Sequence, residues 1–342
     1  METLLPTWVL CIQMAYGLPT TLAMFILIYV LVFRSHKSHL KSSFYMITKI
    51  LIVIDLLFYW FFNIQDRAFL HGPTAIYLIN FPVDCFFYKL INFGYYFLNY
   101  LRSCVIIGES LNRFVSILYI DKSNVKNEKW LKKAVYPILA ISILISLSQS
   151  YFYFQVAYLI TPLGKDIVSY GIGPNMAIWK TYGGLRSAIA GFIVGIVCFM
   201  LNGWSVSLLI YRRKELNTER VGINLFVISM TDFVLHCFHA ATEIGFYIAL
   251  YIENPMNFDL IRNMFIIRMW IIDLDCLHRP WILFIMSEHI RNAIFGCFKG
   301  LVTTNSVVTT SSVNRVHADN RNHKLFTQPT SSDQKGGIVT VT

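Results

Sequence analysis

Seven apolar runs, each about as long as a bilayer is thick, dominate this 342-residue chain. A hydrocarbon core of roughly 30 Å takes about 20 helical residues at 1.5 Å each. Runs of that order stand at Cys11–Phe33, Ser43–Ile64, Phe86–Leu111, Ala134–Phe154, Leu185–Tyr211, Val221–Tyr251 and Met264–Ser287. Lipid offers the backbone no hydrogen bonds, so the runs must be helices or the strands of a closed barrel. Barrel strands would alternate polar with apolar residues, and these do not. The fold class that follows is all-α integral membrane, a seven-transmembrane helix bundle. Composition closes the soluble alternative, because only 14% of residues are charged against roughly 25% in soluble domains. No soluble core of this size hides so much apolar surface.

The net charge of +10 points to the membrane and not to nucleic acid. Its cations sit in short clusters between apolar runs, and no nucleic-acid motif accompanies them. Arg34, Lys37 and Lys41 follow the first span. Lys122, Lys126, Lys129, Lys132 and Lys133 follow the third, and Arg212, Arg213, Lys214 and Arg220 follow the fifth. The alternate loops hold only Arg67, Lys165, Lys180 and Arg262. Cytoplasmic loops are the basic ones, which predicts an extracellular amino terminus and a cytoplasmic carboxyl terminus.

The organisation expected is a short extracellular N-terminus over 1–10, a transmembrane domain over 11–287, a juxtamembrane helix over 288–300 and a disordered cytoplasmic tail over 301–342. Residues 1–8 lack the basic n-region and cleavage site of a signal peptide. Ile290, Ile294, Phe295 and Phe298 share one side of the juxtamembrane segment, amid basic residues, which suits an amphipathic helix on the inner membrane surface. Cys297 within it is a palmitoylation candidate. The tail is rich in Thr, Ser and Asn and has no periodicity.

Ionisable residues inside spans are costly, so each is a site candidate. Asp55, Arg102, Asp273, Asp275 and Arg279 are expected to form an intramembrane polar network that fixes helix packing. Asp232, His236, His239 and Glu243 fall at intervals of four, three and four, along one stripe of the sixth span. Such a stripe can bind a metal, relay protons, line a ligand cavity or bond neighbouring helices. The usual HExxH spacing is absent, and no metal or cofactor is assigned. A cavity near the outer half is expected to involve Tyr95, Tyr96 and Asn99 of span three with His239 and Glu243 of span six.

Short motifs recur in a definite order along the spans. Gly17-Leu18-Pro19 opens the first and Ser43-Phe44-Tyr45 the second, with Arg67 just beyond it. Asn112-Arg113-Phe114 and Ser116-Ile117-Leu118 follow the third span, and Trp130 lies in the next loop. Asp275, Pro280-Trp281 and Ser287 with Ile290-Arg291 close the seventh. On these residues, over roughly 10–300, the chain resembles the nematode serpentine chemoreceptors, nearest to class gamma with class V as neighbour.

The resemblance implies a G-protein-coupled-receptor-like bundle in the plasma or sensory ciliary membrane. It implies a receptor that detects small environmental molecules and signals to a heterotrimeric G protein. Asn112 and Arg113 would then lie at the intracellular coupling end, and Pro280 would kink the seventh helix. Two departures from the rhodopsin-like pattern stand out. Asn112 replaces an acidic residue before Arg113, and Cys85 has no cysteine partner in the loop 155–182. Two other functions compete: an ion channel or transporter with a charged intramembrane pathway, and an intramembrane hydrolase using the Asp/His/His/Glu stripe.

Overall fold

The computed structural model describes residues 6–33, 42–68, 71, 74, 78, 82, 85–118, 124–155, 158–164, 167–172, 183–211, 220–251 and 258–296. Seven long helices stand among them: α1 (Thr7–Phe33), α2 (Ser43–Phe62), α3 (Phe86–Leu118), α4 (Asn124–Gln155), α5 (Gly183–Tyr211), α6 (Arg220–Tyr251) and α7 (Phe258–Met286). An antiparallel hairpin of β1 (Tyr158–Gly164) and β2 (Ile167–Ile172) lies between α4 and α5. A further helix, α8, covers 288–296. Cys297, Phe298 and the tail from residue 301 fall outside the described residues.

The helices outrun the apolar runs at several ends, because length in a helix is not limited to the part lipid covers. α3 continues to Leu118, and α4 begins at Asn124 rather than at Ala134, so Lys129, Lys132 and Lys133 lie on helix and not in a loop. α1, α4 and α5 turn large apolar side chains outward, among them Phe25, Leu144, Phe192 and Met200. Those surfaces suit lipid contact. α1, α2 with its following turn, α4 and α5 are long and apolar enough to be recognised as spans by hydropathy alone. α3, α6 and α7 are not among those four, because their cores hold Arg102, Glu109, Asp232, Glu243, Arg268, Asp273, Asp275 and Arg279, all buried among the other helices.

Two close approaches set the packing of α2. A β-carbon on Gly17 would collide with the Tyr59 hydroxyl, and one on Gly94 with the Phe61 ring. Glycine is therefore required where α1 and α3 meet α2. Ser42 caps α2 by accepting from the Tyr45 N–H at 3.4 Å. At the other end the helix widens into a π-turn over Asn63–Arg67. Such single π-turns recur at functional positions.

The α7–α8 junction is built by the Ser287 and Arg291 noted in the sequence. Ser287 Oγ accepts from the Ile290 N–H at 3.3 Å, capping α8, and bonds the Tyr45 hydroxyl at 3.0 Å. Arg291 returns to the Phe284 carbonyl at 3.1 Å, serving the orphan acceptors at the end of α7. Trp281 donates to Thr20 Oγ1 at 3.1 Å, tying α7 to α1. α7 passes through Pro280 without a break, although proline leaves the carbonyl one turn earlier without its helical donor.

Candidate functional site

α7 is the hub of the buried charges. Arg268, Asp275 and Arg279 are separated by seven and four residues, so they share a face over roughly 16 Å of helix. Each rung reaches at least two neighbouring elements. Arg268 donates to Glu243 of α6 at 2.6 Å, to the Tyr95 hydroxyl of α3 at 2.6 Å and to Asp66 in the π-turn. Asp275 accepts from Arg102 of α3 through both carboxylate oxygens and stands 3.1 Å from His239 Nδ1 on α6. Arg102 also donates to Asp55 of α2. Arg279 donates to Asp232 at 2.8 Å and lies 3.4 Å from Asp55. His278 Nε2 meets the same Asp232 oxygen at 2.6 Å.

Asp273 leaves this face. It pairs with Arg67 and accepts from the Tyr16 hydroxyl of α1. The π-turn explains how adjacent residues reach different rungs, since Asp66 meets Arg268 while Arg67 meets Asp273. The network expected from Asp55, Arg102, Asp273, Asp275 and Arg279 therefore divides. Four of the five share one connected set, and Asp273 belongs to a second. Arg67, counted among the loop cations, is 1% exposed within the bundle.

Beside the Asp275 rung the helices leave a small polar cavity of about 10 Å³, roughly the room one water needs. α3 contributes Asn99, Tyr100 and Ser103, and α5 contributes Ser187 and Gly191. His236, His239, Ala240 and Glu243 come from α6. Asn99 donates to Ser187, and Ser103 donates to the Asn99 carbonyl at 2.9 Å. Of the five cavity residues expected from sequence, Asn99, His239 and Glu243 line this space. Tyr95 and Tyr96 do not. Each residue turns the helix by about 100°, which aims Tyr95 at Arg268 and the Phe58 ring, 5.2 Å between centroids. Tyr96 stacks on Tyr153 of α4 at 3.8 Å. Sequence depth placed both tyrosines beside the cavity but could not place them in its wall.

At the opposite end of α3, Arg113 is buried and donates to Glu109 at 2.9 Å. Its guanidinium also lies 5.1 Å from the Phe44 ring centroid of α2. Asn112 is buried beside it, and its carbonyl accepts from Ser116 at 2.7 Å. The i,i+4 spacing of Glu109 and Arg113 was legible as one helical face. Arg67, Asp66 and Arg268 were not assembled from sequence. The signal available was a charged pair just past the second span, facing an arginine within the seventh.

These features define a class: a membrane-embedded seven-helix bundle, with charges turned inward and a small polar cavity between α3, α5 and α6. The sequence matches the model of the Srg family chemoreceptors over residues 10–294. The chain belongs to that family and is a membrane chemoreceptor. No curated protein matches it in sequence.

Proposed function

We propose that this chemoreceptor binds a small molecule in the α3–α5–α6 cavity and signals to a cytoplasmic heterotrimeric G protein at the Arg113 end. The observation that carries the reading is the continuity of one helix. α3 lines the cavity with Asn99 and Ser103 and, farther along, holds Glu109, Asn112 and Arg113. The cavity holds about 10 Å³ of free space, roughly the room one water needs, so a ligand enters only as the helices move apart. A ligand shifts the equilibrium only by binding one helix arrangement better than another.

The basic loops supply the orientation, with the amino terminus outside and α8 against the inner leaflet. The pairing of Arg113 with Glu109 supports a resting state in which the coupling arginine is held inside. Release of that pair, with Pro280 letting α7 bend, exposes it to the partner. The channel and hydrolase readings draw less support, because Asp273 and Asp275 are both held by arginines.

The test is a panel of small water-soluble and volatile molecules applied to cells that express the receptor with a G-protein reporter. A wild-type response that Arg113→Ala abolishes at equal surface expression supports the reading. A response that survives in Arg113→Ala removes the coupling role. Epitope tags on the two ends, stained before and after permeabilisation, test orientation separately.

A further inference from the structure

His236 is 4% exposed, and neither of its ring nitrogens has a hydrogen-bond partner. A buried polar group is rarely left so, and one facing a cavity calls for an occupant. The His239 ring beside it is fixed in a particular way. Nδ1 stands 3.1 Å from an Asp275 oxygen, while Nε2 faces the cavity side, 3.6 Å from Glu243 Oε1, with no hydrogen bond. One ligating atom each from His236, His239 and Asp275 lies within 4.8 Å of the others.

The charges around His239 do not balance when the histidines are counted as neutral. Asp275, Asp55 and Asp232 share two guanidiniums, those of Arg102 and Arg279. Asp66 and Glu243 share one, that of Arg268. Each set is one positive charge short, and His239 is the side chain that touches both. Uncompensated charge in a bundle interior is expensive. A doubly charged cation at His239 removes both deficits.

We propose that His236, His239 and Asp275 bind one divalent first-row transition ion such as Zn²⁺. Imidazole nitrogen with a carboxylate oxygen is a donor set for such ions and not for Ca²⁺ or Mg²⁺. Ligand bonds of about 2.0–2.2 Å need the donors closer together than 4.8 Å. The His236 ring turns to close that gap, breaking no hydrogen bond as it does so. Three protein ligands leave a fourth position toward the polar cavity, where a water fits. The spacing on α6 alone carries no metal motif, because the third donor comes from α7.

The test uses purified receptor in lipid nanodiscs, stripped with a chelator and titrated with Co²⁺, whose visible absorption reports coordination. Wild type is expected to bind one equivalent, displaced by Zn²⁺. His236→Phe and His236→Gln should each weaken binding by on the order of tenfold or more. His289→Ala, at an exposed position of α8, should leave it unchanged. His236 gives up no hydrogen bond, so at least one of its variants should stay folded, as thermal unfolding will show. A silent wild type overturns the proposal, as does a Co²⁺ spectrum that persists in a folded His236 variant. The first result would leave protons on the histidines to balance the charge. Neither outcome bears on coupling at Arg113.

Discussion

The two halves of the α3–α6–α7 interior use the same residue types to different ends. Around Asp275, Arg102, Asp55 and Arg279 every charged side chain meets an opposite charge, and the helices are held in register. Beside them, His236 has no hydrogen-bond partner, and Asn99, Ser103 and Ser187 line a cavity with room for about one water. The closed half makes a unique packing, because any other arrangement strands a charge away from water. The other set leaves His236 without a hydrogen-bond partner, which is where the proposed metal site lies. Along α6 the two interleave, since His236 lies between Asp232, paired with Arg279, and His239, bonded to Asp275.

Breaking the closed half should have the largest effect. Arg102→Met leaves Asp55 and Asp275 without their shared guanidinium, and removing one partner of a buried pair costs about 3–5 kcal/mol. Thermal unfolding of the detergent-purified protein should show that loss, with a parallel fall in surface expression. By contrast, His236→Gln is close in volume and removes no hydrogen bond, so its cost should stay under about 1.5 kcal/mol. If the two variants lose equal stability, the division between halves fails.

Packing effects come next. Gly94→Ala drives a methyl into the Phe61 ring and should cost about 1–3 kcal/mol by the same measurement. A smaller loss of about 0.5–1.5 kcal/mol is expected for Trp281→Phe, which removes the bond to Thr20. Thr20→Val should lose as much or more, because Thr20 also donates to the Tyr16 carbonyl at 2.8 Å, and the double variant no more than Thr20→Val alone. Additive losses would show that the hydrogen bond is not what joins α1 to α7 there.

The seven helices were readable from apolar length, because lipid makes that length a physical requirement. The stripe Asp232, His236, His239 and Glu243 was readable from its spacing, and all four side chains are buried. Which helix each would face was not readable. Asp273 and Asp275 are two residues apart, about 200° around the helix, so they serve different neighbours. Nothing local announces that Arg67 enters the bundle, since its partner Asp273 lies more than two hundred positions on. Nor did the loop composition announce the β1–β2 hairpin, where backbone pairing takes over without a disulfide.

The central claim is that Arg113, held by Glu109, couples the receptor to its partner. Basal nucleotide exchange on a G protein, in membranes expressing equal amounts of each variant, tests it without knowledge of the ligand. Glu109→Gln removes the carboxylate charge at 2.9 Å from Arg113 and should raise basal exchange severalfold above wild type. Adding Arg113→Ala to Glu109→Gln should return exchange to the level of membranes without receptor. Basal exchange that is unchanged by Glu109→Gln, or raised equally with Arg113 absent, would contradict the account.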